Sequence, residues 1–83
     1  MMVAIESIEK NEFGKYISAS CGKKEAHIIL YNDGSVNVVC KNASHKVWKS
    51  CGRMFDCVED AINGYKSSEM KAMIRMVSEE YNS

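Results

Sequence analysis

Four cysteines and two histidines are the residues with the widest chemical range in this chain: Cys21, Cys40, Cys51 and Cys57, with His27 and His45. Cys40, His45, Cys51 and Cys57 together offer four soft donors of the kind that hold zinc. Their spacing leaves four, five and five residues between ligands and contains no Cys-x-x-Cys knuckle, so a structural zinc site is not expected. Cys57 precedes an apolar helical pattern, where the helix dipole favours thiolate. A nucleophile also needs a base at hand, and none is placed beside it, so Cys57 reads as a small buried hydrophobe. His27 and His45 are the types that cleave RNA by acid and base, but nothing sets their distance or supplies a phosphate clamp. Asn32-Asp33-Gly34 is turn chemistry rather than calcium chemistry, because no further ligand spacing follows. The expectation is no enzyme, no cofactor and no metal.

A second constellation is electrostatic. The 83 residues carry eleven basic and eleven acidic side chains, a balance that hides an uneven distribution. Residues 1–12 hold Glu6, Glu9 and Glu12 against Lys10, and residues 56–83 have a net charge of −3. The middle, residues 13–55, has a net charge of +5, and no acid occurs between Asp33 and Asp56. That acid-free stretch holds Lys41, His45, Lys46, Trp48, Lys49 and Arg53, and Tyr31 just precedes it. Lysines beside aromatic rings suit nucleic acid: the cations neutralise phosphates and the rings stack on unpaired bases. The competing account is internal neutralisation, with a basic sheet face lying against acidic helices.

The elements that would position these residues are strands first and helices last. Ala26–Tyr31 and Ser35–Lys41 are β-rich runs joined by Asn32-Asp33-Gly34, which predicts a hairpin. A three-residue loop pairs Tyr31 with Ser35. It puts Ala26, Ile28 and Leu30 on one face with Val36, Val38 and Cys40, and His27, Ile29 and Tyr31 on the other with Asn37, Val39 and Lys41. The first face is the predicted core. Residues 15–20 and 46–49 are further strand candidates, and residues 2–8 fit either a strand or a helical turn. Asp56 followed by Glu59 reads as a capping box. Val58, Ala61, Ile62 and Tyr65 then form one helical stripe, which Asn63-Gly64 ends. Met70, Met73, Ile74, Val77 and Tyr81 form a second stripe after a cap at Ser67 or Ser68. Met76 lies off that stripe.

The fold class expected is therefore α+β in a single domain, residues 1–83: a three- to five-stranded antiparallel sheet with one or two C-terminal helices packed on one face. Length excludes large cofactor-binding folds, and a hydrophobic content of 46% with 27% charged residues excludes disorder. No run approaches the roughly 20 apolar residues of a membrane span. The start lacks the pattern of a signal peptide, so the expected location is cytoplasmic, with reduced thiols.

Residues 47–65 resemble the strand-to-helix part of plant ethylene-response-factor DNA-binding domains and of phage-integrase arm-binding domains. The likeness rests on Trp48, Gly52, Phe55, Asp56, Glu59, Asp60, Ala61 and Tyr65. It implies a sheet-on-helix architecture. The strands lack the arginine-rich pattern of base readout, so sequence-specific duplex recognition is not carried over. In general style the chain also resembles small phage-encoded proteins that neutralise host defence or toxin systems. The leading expectation is a non-enzymatic nucleic-acid-binding regulator, RNA or single strands favoured. It would use Lys41, His45, Lys46, Trp48, Lys49, Arg53 and Tyr31. The alternative is a protein–protein inhibitor or adaptor acting on a host protein. The discriminating feature is a continuous positive strip for the first and an exposed apolar sheet face for the second. No membrane partner is expected, and a free sheet edge is open to pairing as a homodimer.

Overall fold

A computed structural model describes residues 2–42 and 52–81, with the side chains of Lys41 and Asn42 left aside. Alternating apolar residues make β2 (Gly14–Cys21), β3 (Lys24–Tyr31) and β4 (Val36–Asn42), preceded by β1 (Val3–Asn11) and followed by the short β5 (Arg53–Phe55). The five form one antiparallel meander in sequence order. Two helices close the chain, α1 (Val58–Asn63) and α2 (Ser68–Tyr81). The α+β architecture read from the sequence is the one observed.

The hairpin closes as its turn residues predict. The Tyr31 amide donates to the Ser35 carbonyl at 3.0 Å, and Gly34 donates back to Tyr31 at 3.0 Å. Gly34 takes φ +95°, a left-handed conformation that costs a residue with a side chain more than glycine. Asp33 fixes the same turn by accepting from the Ser35 amide at 2.9 Å and its hydroxyl at 2.6 Å. Leu30 then lies opposite Val36, Ile28 opposite Val38 and Ala26 opposite Cys40.

This register sends one residue set to each side. Ile17, Ala19 and Cys21 of β2 join Ala26, Ile28, Leu30, Val36 and Val38 on the buried side, where Ala61, Met70, Met73, Ile74 and Val77 cover them. The methionine-rich stripe of α2 is thus core packing. Gly14 sits where β2 meets β3, and a Cβ there would overlap the Leu30 carbonyl oxygen.

Three features depart from the sequence reading. The ambiguous N-terminus is a nine-residue strand, interrupted by a bulge at Glu6 between Ile5 and Ser7. The cap of α1 is not Asp56. Cys57 is the N-cap, in an extended conformation, and its Sγ accepts from the Asp60 amide at 3.5 Å. The last strand of the sheet is Arg53–Phe55, which three residues were too few to announce; the strand expected at 46–49 lies outside the described residues. Between the two capping serines, Ser67 accepts from the Met70 amide at 3.3 Å. Among the described residues no helix is long and apolar enough to cross a membrane.

Candidate binding face of the sheet

Helices cover one side of the sheet, and among the described residues no element covers the other. Strand pairing places Glu9 beside Tyr16, Tyr16 beside Ile29 and Ile29 beside Asn37, with Met54 next on β5. The adjacent row runs Ser7, Ser18, His27 and Val39. Together these rows enclose a shallow depression of about 290 Å3, with Ile29 and Val39 in its lining and Glu9, Tyr16, Ser18 and His27 around them. Tyr16 is 39% exposed and Met54 59%. An apolar floor with a few polar groups at its edge is the usual make-up of a recognition surface.

Of the residues that carried the electrostatic expectation, Tyr31, Arg53 and the backbone of Lys41 are described. Tyr31 ends β3 on the uncovered side, half-buried. The backbone of Lys41 pairs with Glu25. His45, Lys46, Trp48 and Lys49 lie outside the described residues. Arg53 pairs with the core residue Val38 and so belongs to the helix-covered side, away from Tyr31. Its guanidinium carbon lies 5.0 Å from the centre of the Phe55 ring and 4.9 Å from that of Tyr65, and one of its nitrogens donates to the Gly64 carbonyl at 2.8 Å.

That use of a cation recurs. Neither helix has a basic residue in its own last turn, where positive charge is favoured. Lys71 of α2 instead donates to the Ile62 carbonyl near the end of α1 at 2.7 Å, and Lys15 of β2 donates to the Tyr81 carbonyl at the end of α2. Lys24 stands near Glu69, whose carboxyl is held below its usual range by its own backbone amide and by the Ser68 hydroxyl first, with Ser67 and Lys24 adding to them. Lys15, Lys24, Arg53 and Lys71 therefore serve the helices. Among the described residues, Lys15, Arg53 and Lys71 meet backbone carbonyls, and Lys24 stands near the Glu69 carboxylate.

On the uncovered side no lysine or arginine is found among the described side chains. A carboxylate, Glu9, stands there instead. Glu6, on the same edge strand, accepts from the Ser20 hydroxyl at 2.7 Å. The described cysteines differ in burial, Cys21 buried, Cys40 half-buried and Cys57 exposed, and no cluster of metal-holding residues is present among the described residues. Cys51 and His45, two of the four ligands weighed for zinc, lie outside the described residues.

Sequence reasoning placed His27, Ile29, Tyr31 and Val39 on the uncovered face but did not find Glu9 or Tyr16. Glu9 lies on β1, which the helix-like spacing of Ala4, Ile5 and Ile8 obscured, and Tyr16 lies in the strand read at 15–20, to which no face was assigned. No protein-family model matches the chain, and no curated protein or solved structure matches it.

Proposed function

We propose that the protein is a non-enzymatic inhibitor or adaptor that seats a protein partner on the uncovered face of its sheet. The observation that carries this reading is the apolar surface of Tyr16, Ile29, Val39 and Met54 on the side opposite the helices, without a described cation among them. Surfaces built around tyrosine, methionine and aliphatic side chains, with charge kept to the margin, are those that proteins bury against one another. Inhibition or adaptation, the mode implied by the resemblance to small phage-encoded proteins, needs no more than such a surface.

One observation favours nucleic acid as a second reading. Tyr16, His27 and Tyr31 place three rings on the same side of adjacent strands, a platform on which single-stranded bases stack. Lys41, Lys46 and Lys49 would then supply phosphate contacts, with His45 and Trp48 close to them in sequence.

The test sets two measurements side by side. Nuclease-treated protein is used to capture partners from cell extract, as wild type and as Ile29→Glu. The same samples are titrated with labelled single-stranded RNA, single-stranded DNA and duplex DNA across a salt series. A protein held by the wild type and released by Ile29→Glu supports the first reading. Nucleic-acid affinity that falls log-linearly with salt supports the second. A protein set unchanged by Ile29→Glu overturns the first.

A further inference from the structure

We propose that the depression on the uncovered face receives an arginine side chain of the protein partner. This rests on the reading of that face as a protein-binding surface and names what it selects. The depression measures about 290 Å3, at or below the small end of the range of about 300–1,000 Å3 for small-molecule sites. It suits one long side chain better than a nucleotide or an extended cofactor.

Its chemistry is divided the way an arginine is. Ile29 and Val39 give an apolar floor from neighbouring strands, on which a three-carbon stem can lie. Glu9 and Tyr16 are paired across β1 and β2 at one end of it. The Glu9 carboxylate has no ion-pair or hydrogen-bond partner among the described residues. A guanidinium there gains a two-pronged hydrogen bond to the carboxylate and stacking against the Tyr16 ring. Ser18 and its hydroxyl stand at the wall. Lysine meets the charge but offers no flat face to the ring and holds its water more strongly.

Charge complementarity points the same way over a longer range. β1 carries Glu6 and Glu9, and the turn after it Glu12, against the single cation Lys10. An anionic ligand such as a phosphate backbone would approach the depression across this edge at a cost. A basic segment would be drawn to it.

The experiment follows backbone amide shifts while the protein is titrated with N-acetyl-arginine methylamide. Matched titrations use the neutral isostere N-acetyl-citrulline methylamide and the lysine analogue. The expected result is a set of shifts centred on Glu9, Tyr16, Ser18, Ile29 and Val39, with arginine at least tenfold tighter than citrulline and tighter than lysine. Glu9→Gln, an exposed and conservative change, should erase the preference of arginine over citrulline. Equal affinities for the three probes, no saturable binding, or shifts centred elsewhere overturn the proposal. Capture with Glu9→Gln and Ile29→Glu separates this from the parent reading. A partner lost only with Ile29→Glu leaves the protein-binding face in place and removes the arginine seat. A partner held by both variants removes both.

Discussion

The guanidinium carbon of Arg53 lies 4.9 Å from the centre of the Tyr65 ring, and so fastens the last strand of the sheet to the loop between the helices. Phe55 completes the arrangement, its ring 6.0 Å from that of Tyr65 at a tilt of 55°. Arg53→Ala removes two ring contacts and a hydrogen bond to Gly64 together, and should lower stability by about 1–3 kcal/mol. Arg53→Lys should fall between, because the ammonium keeps the charge and loses the flat stack. Urea denaturation of the three proteins measures both. Equal midpoints would show that the contact contributes nothing in solution.

Cys57 is a weak helix cap. Its sulfur accepts from Asp60 at 3.5 Å, and the residue is exposed. Oxygen-bearing caps are preferred at this position, so Cys57→Asp or Cys57→Ser should raise stability by about 0.5–1 kcal/mol. Thermal melts under reducing conditions give the comparison, and a lower midpoint in both variants would count against the cap assignment.

Gly14 leaves no room for a side chain where β2 meets β3. Because any Cβ would overlap the Leu30 carbonyl, Gly14→Ala must push two paired strands apart. A loss of about 2 kcal/mol or more is expected, the size typical of overpacking. Denaturant midpoints decide the point.

Burial of the Tyr65 side chain raises its phenol above the usual 10.0, ahead of smaller influences from Cys40 and Arg53. The folded state therefore holds this proton more tightly than the unfolded state does. Stability should be level below pH 10 and fall as pH rises above it. On the acid side Asp33 and Glu69 act in the opposite sense. The Ser35 hydroxyl and amide lower Asp33, and backbone and serine donors lower Glu69. Their contribution is present above the ordinary carboxylate range and is lost as pH falls through their lowered values. Chemical denaturation from pH 3 to 11 reads both limbs. Tyr65→Phe should flatten the alkaline limb and leave the acid one unchanged.

Much of the fold was legible because its cues are local. Asn32-Asp33-Gly34 fixes the hairpin register, and that register sorts Ile28 from Ile29 and Val38 from Val39. The helical stripes Met70, Met73, Ile74 and Val77 are as periodic in the chain as they are buried in the structure. The candidate face was legible only in part. His27, Ile29 and Val39 follow from the hairpin, whereas Glu9 is brought to them by β1, which joins β2 through Glu12-Phe13, a turn without the Asp-Gly signal of the β3–β4 hairpin. The place of Arg53 was hidden by tertiary contacts. A run of lysines and arginine carries no sign of which ones will be drawn to helix ends, since Lys15 meets Tyr81 and Arg53 meets Gly64 only through the tertiary fold.

The borrowed caps of the two helices bear on how the molecule comes apart. α1 has six residues and α2 fourteen, lengths at which a helix in water is at best marginal. Among the described residues, the carbonyls at and just beyond their ends meet cations of β2, β5 and, for α1, α2. Detaching the helical layer from the sheet strips it of its core and of the cations that the sheet lends it in one step. A fragment of residues 52–83 should give little helical circular dichroism, and sheet and helix should disappear in a single transition, with the same midpoint by fluorescence and by far-ultraviolet signal.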